Sequence, residues 1–254
     1  MNKTNITISE ILEYFNEIAP FETAEDYDNI GLIVGNVNNK VSKIMICLDV
    51  SIDVIDEAIA CECDLIISHH PMIFSCVKKI NDENFVTSKA LKLIKNNISV
   101  ISMHTNLDAA KDGVCDNLCK VLRFDNILYD KGCWKICKIS PVSAKEMALK
   151  VKNALNMPFT RYSDCENMCT MVGIVPGSGM DFSEEMISMG ADTIITGDIK
   201  YFGFLENMQK GINVIDCGHY DSEIIFKKPL KELLKKRFNT EILISQNENY
   251  INYV

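Results

Sequence analysis

The chain contains the stretch Asp64-Leu65-Ile66-Ile67-Ser68-His69-His70-Pro71, in which an apolar run of strand length ends in two adjacent histidines. Pro71 has no backbone N–H and cannot extend a hydrogen-bonded ladder. The two imidazoles are therefore predicted to lie where a buried strand stops and the chain turns. Open α/β sheets carry their functional groups at this carboxyl end of the strands. Two of the four histidines of the chain are found here.

The segments on both sides of this stretch alternate between strand-like and helix-like patterns. Lys43–Leu48 and Ile98–Met103 are apolar runs without polar alternation, which is typical of strands buried on both faces. Between them, Ile52–Cys61 is expected to form a helix that Ser51 caps. This alternation predicts βαβ units, and hence an α/β fold with mostly parallel sheets flanked by helices.

Residues 123–133 carry turn-forming residues and interrupt the alternation. We place a boundary there, with residues 1–125 as a first α/β lobe and residues 126–254 as a second one. The two halves resemble each other, since 64–70 (Asp-Leu-Ile-Ile-Ser-His-His) parallels 192–198 (Asp-Thr-Ile-Ile-Thr-Gly-Asp). We therefore predict two similar lobes with a shared site in the cleft between them. The alternative is that any two buried strands have similar sequences.

The composition is that of an ordinary globular protein, with 47% hydrophobic and 24% charged residues. The net charge of −9 argues against a nucleic-acid-binding protein, which normally carries a basic stripe. No apolar run approaches the roughly 20 residues of a membrane span. No signal-peptide core follows the N-terminus either. We therefore expect a cytoplasmic protein that does not enter membranes.

Eleven cysteines are an odd number spread over the whole chain, which does not indicate a disulfide framework. Several pairs lie four residues apart, and these lack the C-x₂-C spacing of zinc knuckles and thioredoxin-type sites. We therefore expect most of the cysteines to act as small buried hydrophobic residues.

Each histidine follows directly after a predicted strand, and two of them have a carboxylate four residues later. The residues concerned are His69, His70, His104 with Asp108, and His219 with Glu223. On a helical turn, positions four apart face the same way, so each pair can present an imidazole and a carboxylate together. Four imidazoles and two carboxylates suit a mixed nitrogen and oxygen site for two transition-metal ions, with bridging carboxylates. The alternative is that the histidines have ordinary structural roles.

Five blocks of the sequence resemble the dinuclear-metal-centre proteins known as GTP cyclohydrolase I type 2, or NGG-interacting-factor-three-like proteins. The blocks are 24–31 (Ala-Glu-Asp-Tyr-Asp-Asn-Ile-Gly), 68–74 (Ser-His-His-Pro-Met-Ile-Phe), 104–110 (His-Thr-Asn-Leu-Asp-Ala-Ala), 196–201 (Thr-Gly-Asp-Ile-Lys-Tyr) and 213–223 (Asn-Val-Ile-Asp-Cys-Gly-His-Tyr-Asp-Ser-Glu). They occur in the family's order and span nearly the whole chain. Together they make a specific match, which no single block would.

The resemblance implies two divalent ions, of zinc, iron, manganese, cobalt or nickel, held between two α/β lobes. It implies as metal ligands His69, His70, Asp108, His219 and Glu223. Among these, Asp108 and Glu223 would bridge the ions, and His104 would lie beside them. The family forms a toroidal homohexamer, and its longer members carry an inserted domain for which 254 residues leave no room. Cys217 departs from the small apolar residue expected at its position, and inert packing is its expected role.

The activity implied by the resemblance is hydrolytic opening of the purine ring of GTP by a metal-bound hydroxide, with release of formate. His104 or Asp198 would transfer protons, and Lys200 would meet a phosphate of this nucleotide substrate. The turn Pro176-Gly177-Ser178-Gly179 would either approach a phosphate through its N–H groups or serve as a plain turn. A dinuclear phosphoesterase and a non-enzymatic, metal-binding scaffold or regulator are the alternative functions.

Overall fold

A computed structural model describes residues 6–248 and 250–252 of the chain. The elements of the N-terminal half are β1 (Ile6–Thr7), α1 (Ile8–Ile18), β2 (Gly31–Val34), β3 (Lys40–Val41), β4 (Lys43–Cys47), α2 (Ile52–Ala60), β5 (Leu65–Ser68), α3 (Phe85–Lys95), β6 (Ser99–Ser102), α4 (Thr105–Ala109) and α5 (Val114–Leu122). Those that follow are β7 (Ile127–Asp130), β8 (Lys135–Ser143), α6 (Ala144–Ala154), β9 (Met168–Ile174), α7 (Ser183–Ser188), β10 (Thr193–Thr196), α8 (Tyr201–Gln209), β11 (Asn213–Asp216), α9 (His219–Glu223), α10 (Lys227–Arg237) and β12 (Glu241–Ile244).

The chain divides into two units, and their boundaries differ from those predicted. The first unit ends at Leu107 and takes up the chain again from Lys227 to Asn252, whereas the second runs from Asp108 to Phe226. The C-terminal segment belongs to the first unit because β12 pairs in parallel with β4. The boundary falls earlier than residue 125 because α5 packs its apolar face into the core of the second unit.

The first unit is built on a five-stranded sheet of order β12-β4-β5-β6-β2. Its strands are parallel except for β2, which runs antiparallel to β6. The central strand β5 is buried along its whole length, as its unbroken apolar sequence predicts. A core of apolar side chains from the sheet and from α2 and α3 includes Met45, Val54, Ile55, Ile66, Leu93 and Val100.

Helix starts in the first unit agree with their capping residues. Thr7 forms a capping box with Glu10 at the start of α1. Ser51 accepts a hydrogen bond from the backbone N–H of Val54 and so caps α2, as the sequence predicts. The cap at Ser51 fixes where the connection from β4 to α2 ends. This connection carries Asp49, which belongs to the site described below.

The second unit is built on a mixed five-stranded sheet of order β11-β10-β9-β8-β7. Strands β9, β10 and β11 are parallel, and β8 and β7 continue the sheet in antiparallel pairings. Its larger core joins α5 and α6 to one face of the sheet and includes Leu118, Ala148, Val151, Val172, Ile195 and Ile215. The predicted α/β class with two sheets of mostly parallel strands and flanking helices is confirmed.

The two units share a part of their topology. In each, three adjacent parallel strands follow one another in sequence and are joined by helices, as β4-α2-β5-α3-β6 and as β9-α7-β10-α8-β11. Polar residues come shortly after the second and third strands of each series. His69 and His70 follow β5, and His104 follows β6, whereas Asp198 follows β10 and His219 follows β11. The sequence echo between the halves thus corresponds to equivalent strands.

All eleven cysteines lie in the described part of the chain as free thiols. Most of them are buried, as expected for small hydrophobic residues. Cys217 is among these, and burial raises the pKa of its thiol well above the usual value. Within residues 6–248 and 250–252, none of the helices has the length and apolarity that crossing a membrane requires.

Candidate metal centre

Three histidines cluster at the carboxyl end of the first unit's sheet. Strands β5 and β6 are parallel neighbours whose last residues, Ser68 and Ser102, are paired. The residues that follow these two strands therefore meet at one edge. His69, His70 and His104 each offer a ring nitrogen there, and these nitrogens all lie within 4.8 Å of one another. The sequence-based grouping of these histidines agrees with this geometry.

His69 is held by the backbone. Its side chain is fully buried, and its Nδ1 lies 2.8 Å from the carbonyl oxygen of Met103. A carbonyl oxygen only accepts hydrogen bonds, so Nδ1 carries the proton and donates it. The lone pair of the neutral ring is then on Nε2, which is the nitrogen that can bind a metal ion.

His70 and His104 are held in the same way by carboxylates. Nδ1 of His70 lies 2.8 Å from Oδ1 of Asp49, and Nδ1 of His104 lies 2.9 Å from Oδ1 of Asp28. Both oxygens accept a hydrogen bond from Nδ1–H, which leaves the lone pair of each neutral ring on Nε2. A carboxylate behind a histidine is the usual arrangement at protein metal sites, where it fixes the ring and raises its basicity.

Asp28 is itself fixed by Thr105, the first residue of α4. Its Oδ2 accepts hydrogen bonds from the backbone N–H and the hydroxyl of Thr105, at 3.1 and 2.5 Å. Burial alone raises the pKa of Asp28, but the hydrogen bonds from His104 and Thr105 outweigh it and hold this pKa well below its usual range. Asp28 therefore stays ionised, and His104 keeps a negative charge behind its ring.

The second unit contributes a histidine and a carboxylate from one helical turn. Nε2 of His219 lies 3.1 Å from Oε2 of the buried Glu223, as their spacing of four residues predicts. Nδ1 of the same ring lies 2.6 Å from Oδ2 of Asp198. Because Nδ1 donates to Asp198, the neutral ring would set a lone pair of Nε2 against a carboxylate oxygen. A proton on Nε2 or a shared cation removes this repulsion.

Gly177 brings the turn Pro176–Gly179 against this pair. Its φ is +60°, and a Cβ built on it would lie 2.0 Å from Oε1 of Glu223. The turn is held in place by hydrogen bonds from the N–H of Gly177 to the hydroxyl of Ser222 and from the hydroxyl of Thr196 to the carbonyl of Gly177. The backbone of this turn therefore forms a wall against the Glu223 carboxylate, and any side chain at position 177 would displace that carboxylate.

The remaining predicted residues have different settings. Asp108 is buried in α4, one turn after His104. Lys200 is exposed immediately before α8, which leaves its predicted contact with a phosphate as a prediction. Asp198, predicted to transfer protons, is exposed and is placed to orient the ring of His219.

Sequence reasoning missed the acceptors Asp28 and Asp49 and the role of Gly177. Asp49 follows the predicted strand β4, and Asp28 lies in the acidic block 24–31, so both had a weak signal. Their histidine partners are 21 and 76 residues away in the sequence. Only the order of the strands brings each carboxylate to its ring.

The described residues fit a divalent ion. All four imidazoles donate Nδ1–H to an oxygen acceptor, and this common pattern places the lone pair of each neutral ring on Nε2. Neutral imidazole nitrogens together with carboxylate oxygens suit zinc and other first-row transition metals. The donor atoms and their outer hydrogen bonds therefore agree with the metal chemistry that the sequence predicts.

Comparison with known proteins gives the family. The model of the Duf34/NIF3 (NGG1p interacting factor 3) family matches residues 6–250. A protein of Clostridium acetobutylicum named GTP cyclohydrolase 1 type 2 homolog is 36% identical, over 96% of this chain and 97% of its own length. A Helicobacter pylori protein named GTP cyclohydrolase 1 type 2 is 34% identical, over 95% of this chain and 97% of its own.

Solved structures agree with this result. The crystal structure of a hypothetical protein from Staphylococcus aureus matches with a TM-score of 0.90 and 28% identity, over 98% of this chain and 100% of that one. The structure of reduced HcgD from Methanocaldococcus jannaschii matches with a TM-score of 0.83 and 27% identity, over 96% and 99% of the two chains. The resemblance read from the five sequence blocks is thereby confirmed. The chain belongs to the Duf34/NIF3 (NGG1p interacting factor 3) family.

Proposed function

We propose that this protein binds two divalent metal ions and hydrolyses a nucleotide. The ligands in this proposal are His69, His70, Asp108, His219 and Glu223. One observation carries it, namely that the three imidazoles of this set, His69, His70 and His219, donate Nδ1–H to an oxygen and so keep Nε2 for a metal. Ordinary structural histidines have no reason to share this orientation. Divalent ions, when bound, supply Lewis acidity that activates water and polarises substrate atoms.

The residues that surround the proposed ligands supply proton transfer and substrate binding. His104 can accept a proton at Nε2, because Nδ1 is already protonated and the Asp28 carboxylate behind it stabilises the imidazolium. Asp198 orients the ring of His219, and its exposed carboxylate is the second group that we propose for proton transfer. Lys200 is exposed, and its flexible, positively charged side chain can bind a phosphate group of the substrate.

The names of the relatives in Clostridium acetobutylicum and Helicobacter pylori favour GTP as the substrate. In the reaction that we propose, water hydrolyses the two bonds between C8 of the purine and its ring nitrogens. Two water molecules are consumed, C8 leaves as formate, N7 becomes an amino group, and N9 becomes an N–H that still carries the ribose. A protein that only removes phosphate from GTP would be a phosphoesterase instead.

Product analysis tests this proposal. The metal-reloaded protein is incubated with GTP and with a generic phosphoester, and formate and inorganic phosphate are both measured. We expect formate from GTP, and we expect His104→Ala to lower its rate by about 100-fold if His104 is the proton-transfer group. Release of phosphate without formate would favour the phosphoesterase. Absence of both products, with dissociation of the oligomer on metal removal, would favour the scaffold.

The family resemblance also leads us to propose a toroidal homohexamer. Sedimentation equilibrium of the metal-loaded protein measures this directly. We expect a mass of six chains, and a monomer at micromolar concentration would contradict the proposal.

A further inference from the structure

Two exposed aromatic rings contact each other beside the histidine cluster of the first unit. Tyr27 keeps 64% of its surface exposed and Phe74 keeps 52%. Their ring centroids are 6.2 Å apart, with planes inclined by 54°. Aromatic side chains normally contribute their large apolar surfaces to a core or an interface, so this pair is a candidate binding surface because it lies beside the histidine cluster.

The pair is held in place by the residues next to it. Asn29 donates a hydrogen bond from Nδ2 to the carbonyl oxygen of Ile73, at 2.6 Å. This bond ties the loop that carries Tyr27 to the loop that carries Phe74. Asp28, which lies between Tyr27 and Asn29, holds His104. Tyr27, Asp28 and Asn29 thus form the ring contact, hold the imidazole of His104 and tie the two loops together. The position of the aromatic pair is therefore set by contacts within the protein.

The aromatic pair Tyr27 and Phe74 lies next to His104, the proposed proton-transfer group. The ring of Phe74 meets that of His104 edge to face, with centroids 6.5 Å apart and planes inclined by 82°. His104 in turn has its ligand nitrogen within 4.8 Å of those of His69 and His70. A flat ligand resting on Phe74 would therefore lie next to His104, within one side chain of the other two imidazoles.

We propose that Tyr27 and Phe74 form the stacking surface for the planar heteroaromatic ring of the substrate. This inference rests on the proposed function and specifies the part of the substrate that this face of the site recognises. Stacking depends on a π-surface and tolerates different ring substituents, so it supplies affinity for a purine and its opened product alike. Because the two rings already contact each other, a flat ring would rest on their exposed surface and not between them.

Binding measurements separate this inference from turnover. Calorimetric titration of the metal-loaded protein uses GTP as the ring-containing probe and inorganic triphosphate as the probe without a ring. Because stacking on one aromatic side chain contributes about 1–3 kcal/mol, Tyr27→Leu and Phe74→Leu should each weaken GTP binding by about 5- to 150-fold. Triphosphate binding and metal content should stay unchanged, and Tyr27→Phe should restore GTP binding to within about twofold.

Phe85→Leu is the matched control, because Phe85 is 66% exposed in the same unit but belongs to α3 and packs beneath Lys89. It should bind GTP as the wild type does. Unchanged GTP affinity in both Tyr27→Leu and Phe74→Leu would overturn the inference, as would equal losses for GTP and triphosphate. A change of oligomeric mass in these variants, without a change in GTP affinity, would assign the pair to a subunit contact instead. Failure of the proposed function would appear separately, as metal content below one ion per chain.

Discussion

At the scale of single residues, the candidate site depends on hydrogen bonds in which Nδ1 of each of the four imidazoles is the donor. The sequence predicts the histidines because each follows an apolar strand. It does not predict the acceptors, because Asp49 and Asp28 belong to other segments of the chain. The residue pattern thus predicts which side chains are candidate metal ligands. The tertiary structure decides which nitrogen of each ring is available.

Asp49→Asn tests the importance of these acceptors. The substitution removes the charge behind His70 and weakens the preference for Nδ1–H, so metal affinity should fall by about 10- to 100-fold. Competition with a chromophoric chelator measures the affinity. Asp53→Asn is the control, because Asp53 is an exposed carboxylate in the first turn of α2. Equal metal affinity in both variants would contradict the role of Asp49.

Gly177→Ala tests the wall against Glu223. The substitution imposes a left-handed conformation on alanine, which costs about 1–2 kcal/mol. It also forces the Glu223 carboxylate aside, since the new Cβ would lie 2.0 Å from Oε1. Gly211→Ala is the matched control, because Gly211 has a φ of +75° with open space around its Cβ position.

Both variants should lose stability in urea denaturation, and Gly177→Ala should lose more. Only Gly177→Ala should also lose metal affinity, because only its Cβ meets a proposed ligand. Identical behaviour of the two variants would mean that backbone strain alone accounts for the effect.

At the scale of elements, the connection Leu48–Ser51 between β4 and α2 is held from several directions. Glu248 accepts hydrogen bonds from the first two backbone N–H groups of this connection. Lys89 of α3 donates to the carbonyl oxygen of Val50 at 2.8 Å, and the hydroxyls of Tyr250 and Ser51 share a hydrogen bond at 2.6 Å. The C-terminal segment thereby fixes the loop that carries Asp49, and through it the ring of His70.

Glu248→Ala should destabilise the first unit strongly. Glu248 and its ion-pair partner Lys227 are both buried, so the substitution leaves an ammonium group without its countercharge. Breaking a buried pair in this way costs about 3–5 kcal/mol. Glu248→Gln keeps the acceptor for the two N–H groups and should cost less.

Urea denaturation at neutral pH measures the free energy of unfolding for these variants. Glu241→Ala is the control, because the ion pair of Glu241 with Lys43 is on the surface, where such pairs contribute about 0–1 kcal/mol. Loss of stability in Glu248→Ala no greater than in Glu241→Ala would refute the structural role of the C-terminal segment.

A buried lysine in the second unit makes the free energy of unfolding depend on pH. Lys135 is 2% exposed, and its Nζ lies 2.9 Å from Oδ1 of Asp116. Burial raises the pKa of Asp116, but the hydrogen bonds from Lys135 and the N–H of Asp112 outweigh it and lower this pKa. The folded value is therefore below the unfolded one of about 3.9, so the stabilisation is fully present above that pH and disappears as the pH falls through the folded value.

Asp116→Asn should accordingly lower stability near neutral pH and flatten its decrease below about pH 4. Chemical denaturation at a series of pH values measures this. Asp125→Asn, which alters an exposed carboxylate, should keep the wild-type profile. A wild-type acid profile in Asp116→Asn would show that the pairing with Lys135 does not contribute.

Elements with strong apolar runs are predicted well, and those without them are missed. Strands β4, β5 and β6 occur within about one residue of the expected apolar runs, because their residues are almost all buried. Strand β7 is missed because all four of its residues are exposed and it pairs only with β8 at the sheet edge. The two-residue strands β1 and β3 are too short for any periodicity to appear.

At the scale of the whole molecule, the chain leaves its first unit after Leu107 and returns to it at Lys227. A single boundary near residue 125 was predicted because the local sequence shows only where the pattern is interrupted. The return depends on the pairing of β12 with β4, which joins residues almost 200 apart. Long-range pairings of this kind leave no local signal in a strand of four residues.

The central proposal is that the oriented imidazoles of His69, His70 and His219 hold two divalent ions in each chain, together with the carboxylates of Asp108 and Glu223. Elemental analysis tests it most directly, after the protein is reloaded with zinc or manganese and dialysed to remove free metal. The account predicts about two ions per chain for the wild type. It also predicts a clear loss of bound metal in His70→Ala and in His219→Ala, each of which removes one proposed ligand. Fewer than one ion per wild-type chain, or full metal content in both variants, would contradict it.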